Sequence, residues 1–376
     1  MSTDPASPSR RDLLAAFRAR PADSAASSAS AAAGGRPAVH VPEPTGPAPA
    51  AGQTVRLTAR LMGCDFTVVL NPGPEQVESA GEALERAAAV EAWMSHYRTD
   101  SQLSQLNLNG WPGPVSVSAE LLNFLQFCQH CGQLTGGAFD VAGGALSQLW
   151  KRCRKQGQIP DQAEVTAALA RCGQGHLQIN GEKSEVRFAV SGLQLDPGAA
   201  GKGWALDEAG SWLRSRVSPI GNFLLSGGHS SLLAAGEHNG TGGWPVGLGN
   251  PLFTEKRIAT ILLKDLAMGT SGSNIQFFRH AGRRYGHLLD PGTGWPAEGM
   301  LSATVLADSA ALADALSTAF FVLGVEKAVD CCRRIPDIAA ILIPFPDRGT
   351  RLKPVVTGNL SRQIWWDADQ AAVQYI

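Results

Sequence analysis

The sequence predicts an α+β fold, and two observations point to it. Strand-like segments come in runs, and helical segments sit between those runs instead of alternating with single strands as in a doubly wound sheet. With 376 residues, 44 % of them hydrophobic, the chain can bury a large core. Its 42 glycines imply many tight turns and close backbone approaches.

Residues 1–53 are rich in Ala, Ser, Pro and Gly. They hold too few large apolar side chains to offset chain entropy, so this segment is expected to be disordered. Order begins with Val55, Leu57, Ala59 and Leu61, which alternate with Arg56, Thr58 and Arg60 as in a half-buried strand. Phe66 to Leu70 reads as its partner strand. A helix from about Glu75 to His96 keeps Val77, Ala80, Leu84, Ala87 and Met94 along one face. A second helix starts at the N-cap Ser118, has Glu120 in its first turn and ends near Gly136-Gly137. The turn signal Asn180-Gly181 separates strands at Leu177–Ile179 and Val186–Val190. Further strands are expected at 223–225, 231–235, 258–263 and 338–343. There is no internal repeat. The folded domain is expected over 54–350, with 351–376 a tail that packs on it or is partly disordered.

Composition excludes several classes of partner. The 32 Lys and Arg nearly balance 33 Asp and Glu, so no basic field attracts nucleic acid or anionic lipid. No run of 18 apolar residues exists, so no transmembrane segment is expected. Arg10-Arg11 faintly resembles a twin-arginine export signal, but Arg18, Arg20 and Pro21 stand where its apolar stretch should follow. A cytoplasmic location is the expectation. The seven cysteines are irregularly spaced, unlike a disulfide framework, and Cys128 and Cys131 read as buried structural residues on a helix.

The most informative local segment is 302–324, a strand running into a helix. Asp308 or Ser309 can cap that helix and Gly324 can end it. Inside it Asp314 is the one charged residue, among Ala, Leu and Phe. Burial without a partner costs about 2–7 kcal/mol even for a neutral polar group, so something must compensate. Thr318 lies one turn on, on the same face. Carboxylate plus hydroxyl suits Mg²⁺ better than Zn²⁺, and the alternative is a hydrogen-bonded core aspartate.

Several glycine-rich segments accompany it. Leu195 to Gly203 is a small-residue loop ending near Lys202, able to approach a phosphate or simply to turn. It is no P-loop, because Gly203 stands where Ser or Thr should bind magnesium. Ser226 to Ser231 and Gly269 to Ser273 are of the same kind. His287 precedes a turn built on Pro291, where it serves as a general base, a phosphate partner or a structural residue.

Taken together these pieces resemble, in order and spacing, the ApbE family of FAD:protein FMN transferases. The matching stretches are Leu61-Met62-Gly63, Ser95 to Ser101 with Asn107 after it, and Gly137-Ala138-Phe139-Asp140. Then come Leu195-Asp196 through Lys202-Gly203 to Asp207, Gly227-Gly228, Thr270-Ser271-Gly272, His287 to Gly294, and Ala313 to Thr318. The resemblance covers roughly residues 57–345. It implies a T-fold-related α+β domain of antiparallel sheets and packed helices, with FAD in a cleft between subdomains. It implies Mg²⁺ held by Asp314, Thr318 and the carbonyl of Ala199. Ser317 lies where some members have an acid and is at most a weak contributor. Met62, Tyr97, Ala138, Phe139, Asp140, Asp196, Lys202 and Leu289 would line the FAD, with Tyr97 stacked on the flavin.

The implied reaction is transfer of FMN from FAD to a threonine or serine of an acceptor protein carrying a flavinylation motif, with release of AMP. Asp314, Lys202 and His287 are the candidate catalytic residues, His287 as base. Two other outcomes share the same pocket: attack by water, giving an FAD pyrophosphatase, and FAD binding without turnover. The chain departs from the family pattern at Val141-Ala142, His229, Ser273-Asn274 and Pro197.

Overall fold

The computed structural model describes residues 47–50, 52–273, 276–346, 348–358, 360, 363–367, 369 and 371–376. The expectation of disorder for the N-terminal segment therefore lies, up to residue 46, outside the described residues, as does the Arg10-Arg11 pair. In chain order the strands begin with β1 (Val55–Leu61), β2 (Cys64–Leu70), β3 (Val115–Ser116), β4 (Leu177–Asn180), β5 (Glu185–Phe188) and β6 (Phe223–Gly227). Next are β7 (Ser231–Ala235), β8 (Trp244–Gly249), β9 (Arg257–Leu263), β10 (Ala267–Gly272), β11 (Phe277–His280) and β12 (Arg283–Gly286). The last are β13 (Met300–Ala307), β14 (Ala339–Pro344), β15 (Val355–Thr357), β16 (Ile364–Trp366) and β17 (Gln374–Tyr375). The helices are α1 (Gln76–Met94), α2 (Gln102–Asn109), α3 (Ala119–Leu134), α4 (Gly144–Gln156), α5 (Gln162–Leu169), α6 (Gly201–Ser215) and α7 (Ala310–Arg334).

A nine-stranded sheet in the order β1-β2-β6-β7-β10-β13-β14-β15-β17 forms the centre. Its pairs are antiparallel except for β15 with β17, which run parallel. This is the α+β architecture read from the runs of strands. Both faces of the sheet are covered. Helices α1, α6 and α7 pack against one face, where Phe66, Val68, Leu225, Val305 and Leu342 join Phe320 and Leu206 in the main core. On the other face a three-stranded sheet, β16-β9-β8, buries Trp244, Ile258 and Ile261 against Val69, Leu306 and Ile341. Strand β13 shows the consequence: all eight of its residues are buried, because each side of its pleat meets a covering layer.

The predicted helix at 75–96 is α1, and the one beginning at Ser118 is α3, whose cap accepts a 3.3 Å bond from the Leu121 N–H. Strand β5 ends at Phe188, two residues short of expectation. Gly324 interrupts the helix where the sequence places its end. The backbone leaves helical geometry there, at φ 73°, and a second helical stretch carries α7 on to Arg334. Cys128 and Cys131 are buried and free on α3. Strands β15, β16 and β17 of the tail join the two sheets.

Candidate active site

Every residue singled out from the sequence as catalytic, flavin-binding or metal-ligating lines one cleft of about 1710 Å³. The geometry around Asp314 shows why the chain brings them together. Helix α7 lies directly on β10 at Gly269, where a Cβ would come within 2.4 Å of the Ala313 backbone. It also touches the start of α6 at Gly203, where a Cβ would meet the Ala310 carbonyl at 2.1 Å. Only glycine permits either approach, and the second brings Lys202 and Asp314 to the same end of the cleft.

Asp314 is buried, and two donors converge on its Oδ2: the Gly203 N–H at 2.9 Å and the Ser231 hydroxyl at 2.8 Å. Among the described residues no donor reaches Oδ1. Burial pushes the Asp314 pKa up, and Lys202, Ser231 and the Gly203 N–H pull against it without cancelling it. One turn on, Thr318 shares a hydroxyl contact of 3.1 Å with Ser271, and Ser317 one of 3.0 Å with the same residue. Ala199 closes a short 3₁₀ turn, Pro197–Ala199, immediately before α6. Among the described residues no three His, Cys, Asp or Glu side chains cluster as a metal cage. The donor set is one carboxylate with hydroxyl and carbonyl oxygens. This composition fits Mg²⁺, which keeps several waters and takes its remaining oxygens from phosphates.

The loop bearing Asp196 is held by a side chain far away in sequence. Asn107 on α2 clamps Leu195 by both main-chain groups, accepting from its N–H at 2.7 Å and donating to its carbonyl at 3.0 Å. Asp196 in turn accepts from the Gly198 N–H at 3.0 Å and lies 3.5 Å from Lys151. Burial raises its pKa, but Lys151, His96, the Gly198 N–H and Ser147 together bring it below the ordinary value.

Beside this loop, with His96 Nδ1 3.9 Å from Asp196, stands the wall expected to line the flavin. Tyr97 is 77 % exposed at the mouth of the cleft, its ring 3.9 Å from that of His96. Its segment is pinned where the Ser104 hydroxyl donates to the Ser95 carbonyl at 3.1 Å. Met62 sits in the β1–β2 turn at φ 49°, and its N–H donates to Glu91 at 2.9 Å. Phe139 and Asp140 follow the end of α3. Thr135 holds the Phe139 N–H at 3.1 Å, and Asp140 accepts from the Ala142 N–H at 2.8 Å, with its pKa raised by burial. That second bond occupies the backbone at Val141-Ala142, one of the departures noted above.

His287 lies at the end of β12. Its Nδ1 is 3.0 Å from the Gln276 carbonyl. A carbonyl can only accept, so Nδ1 carries the hydrogen and Nε2 keeps a free lone pair. Burial lowers the His287 pKa below its ordinary 6.5, Gln276 raises it, and Arg154 and Lys202 lower it further. The ring is therefore neutral near pH 7, the form a base requires. Leu289 and Asp290 follow in a turn that Asp290 closes on the Gly292 N–H at 2.9 Å. Trp150 on α4 fastens this turn, donating to the Gly294 carbonyl at 2.8 Å.

Ser231 and Gly203 stand in the glycine-rich segments, but their bonds to Asp314 exist only through the fold. Asp207 closes the matched stretch that begins at Leu195, and its role is visible only in the fold. It is half-buried on α6 and accepts from the Ser309 hydroxyl at 2.7 Å and the N–H groups of Ala310 and Ala311 at 2.8 and 2.9 Å. It thereby caps α7 from a neighbouring helix.

The ApbE family profile matches residues 62–342. A relative named FAD:protein FMN transferase, from Treponema pallidum, is 34 % identical over 270 residues, covering 69 % of this chain and 74 % of its own. One of the same name from Haemophilus influenzae is 32 % identical over 310 residues, covering 79 % and 88 %. Among solved structures, the ApbE protein of Thermotoga maritima gives a TM-score of 0.71 at 27 % identity, covering 78 % of this chain and 94 % of that one. The flavin transferase ApbE of Vibrio cholerae gives 0.70 at 28 % identity, covering 80 % and 97 %.

Proposed function

This chain belongs to the ApbE family and is an FAD:protein FMN transferase, and we propose that it works with Mg²⁺ on a threonine or serine hydroxyl of its acceptor. The observation that supports the magnesium reading is the arrangement at Asp314. Both protein donors engage Oδ2, which leaves Oδ1 free to join Thr318 and the Ala199 carbonyl as ligands. A cation bound there would neutralise charge on the diphosphate oxygens and on the departing phosphate.

The chain's own groups do the rest. Lys202 supplies positive charge at the same end of the cleft, where it stabilises developing charge in the transition state. The acceptor oxygen attacks the phosphorus on the FMN side, and the bond from that phosphorus to the bridging oxygen breaks. The hydroxyl proton passes to His287 Nε2. AMP departs with the bridging oxygen, and a phosphoester joins FMN to the acceptor. Tyr97 and Met62 would hold the flavin ring from the cleft mouth, the tyrosine by stacking. Among the described residues no helix is long and apolar enough to cross a membrane.

The test is incubation with FAD, Mg²⁺ and a threonine-bearing acceptor protein. Flavin still attached to the acceptor after denaturation is the expected result. Free FMN and AMP alone would replace transfer by hydrolysis, and FAD bound without any AMP release would remove the catalytic reading.

A further inference from the structure

Lys151 lies in none of the matched stretches, yet it stands between two of the residues expected to line the FAD. Its ammonium is 3.5 Å from the Tyr97 phenol oxygen and 3.5 Å from Asp196 Oδ2. We propose that Lys151 is a positioning residue of the FAD site: it ties the rim of Tyr97 to Asp196 and so sets the aromatic ring in place before FAD arrives. The inference rests on the reading of Tyr97 as the ring that stacks on the flavin.

The need for such a tie comes from Tyr97 itself. The residue is 77 % exposed, and an exposed side chain that must be immobilised on binding loses its rotamer freedom at that moment. Neighbours that hold it beforehand remove that cost. Two do so here. The His96 ring backs Tyr97 with 3.9 Å between centroids and 39° between planes. Burial lowers the His96 pKa below its ordinary 6.5, Asp196 raises it and Lys151 lowers it further, so the backing ring is uncharged near pH 7. Lys151 holds the other end. It is 5.5 Å from the ring centroid but 3.5 Å from the hydroxyl oxygen. The cation therefore addresses the rim and does not lie flat on the face that stacking requires.

Lys151 reaches out from a fixed base. Leu146, Leu149 and Cys153 of α4 are buried with Val165 and Ala168 of α5, and Trp150 is pinned to the Gly294 carbonyl. Ser147 and Arg154, one turn before and after Lys151, line the same cleft, so this face of α4 is the one turned toward FAD. At the far end Asp196 is fixed by the Gly198 N–H and by the Asn107 clamp on Leu195. Its lowered pKa keeps the carboxylate charged near pH 7. An ammonium carries three donors on one nitrogen, so Lys151 can serve the carboxylate and the phenol at once.

The experiment measures FAD affinity by calorimetry without magnesium, and FMN transfer to a threonine-bearing acceptor protein with it. Lys151→Met is expected to raise the Kd and the KM for FAD about threefold, while kcat at saturating FAD changes by less than about twofold. Tyr97→Phe keeps the ring and removes the hydroxyl, so it is expected to raise Kd by a similar factor. The double variant is expected to bind FAD no more weakly than the worse of the two single variants, because both remove one shared contact. If Lys151→Met melts well below the parent, Lys151→Gln carries the test. The proposal is overturned if Kd is unchanged in the folded Lys151 variant. It is also overturned if the two factors multiply in the double variant, which would place Lys151 on FAD directly. Tyr97→Leu separates the two readings. Weaker FAD binding in that variant, beside an unchanged Lys151→Met, would remove the Lys151 role alone. Unchanged FAD binding in Tyr97→Leu would remove the stacking reading, and the positioning role with it.

Discussion

Asp314 is a carboxylate placed where burial works against its charge, and that tension is the basis for a prediction. In Asp314→Asn the amide oxygen can still accept from Ser231 and Gly203, while the charge that burial disfavours is gone. The variant is expected to melt no lower than the parent without magnesium, yet to lose magnesium-dependent AMP release. Unchanged AMP release would remove the metal assignment. His287 supports a second prediction. Its folded pKa lies below 6.5 because burial disfavours the cation, so its base form persists into mildly acidic solution. The acid limb of kcat/KM is expected below pH 6.5, and His287→Ala should lose about 10²–10⁴ in transfer rate. A limb centred above 6.5 would point to another base.

At the scale of elements, the site depends on how α6 and α7 meet. Three contacts fix that junction: Gly203 against Ala310, the Gly203 N–H on Asp314, and Asp207 on the N-terminus of α7. Burial pushes the Asp207 pKa up to about 6 from 3.8, against the pull of Ala311, Ala310 and Ser309. A carboxyl raised in the folded state contributes stability that is fully present below 3.8 and is lost as pH rises through about 6. The span is worth about 3 kcal/mol. Asp207→Asn is expected to flatten the dependence of melting temperature on pH between those values. A slope equal to the parent's would show that other groups carry it. The elements also show what local pattern conceals. Helix α4 has apolar positions at Ala145, Leu146, Leu149, Trp150 and Cys153, a helical spacing that begins shortly after the glycine-rich Gly136-Gly137 motif. Helix α6 begins with Gly201 and Gly203, poor helix formers that made its first turn read as part of a loop. Their presence is explained by close packing on α7, which no single-helix pattern reveals.

At the scale of the whole molecule, the tail is structural. Leu352, Val356 and Ile364 are each no more than 1 % exposed and fill the core between the two sheets. Burying each such side chain contributes about 1.5–3 kcal/mol, a large share of a typical stability of about 5–15 kcal/mol. A chain ending after Thr350 is therefore expected to aggregate or melt far below the parent. A melting temperature within a few degrees of the parent's would contradict this. The tail's strands are short: β15 and β16 have three residues each and β17 two. Strands that short carry no measurable alternation, and only their pairing partners define them. By itself the sequence determined the α+β class, the strands and helices with long periodic patterns, the family resemblance and the side chains that meet in the cleft. Those features are encoded in local spacing and residue type. The tertiary structure alone decided which oxygen of Asp314 is free, that Asn107 clamps the Asp196 loop, that Asp207 caps another helix, and that Lys151 stands between Tyr97 and Asp196. Each of these joins residues far apart along the chain, and such contacts exist only once the sheet has brought its helices together.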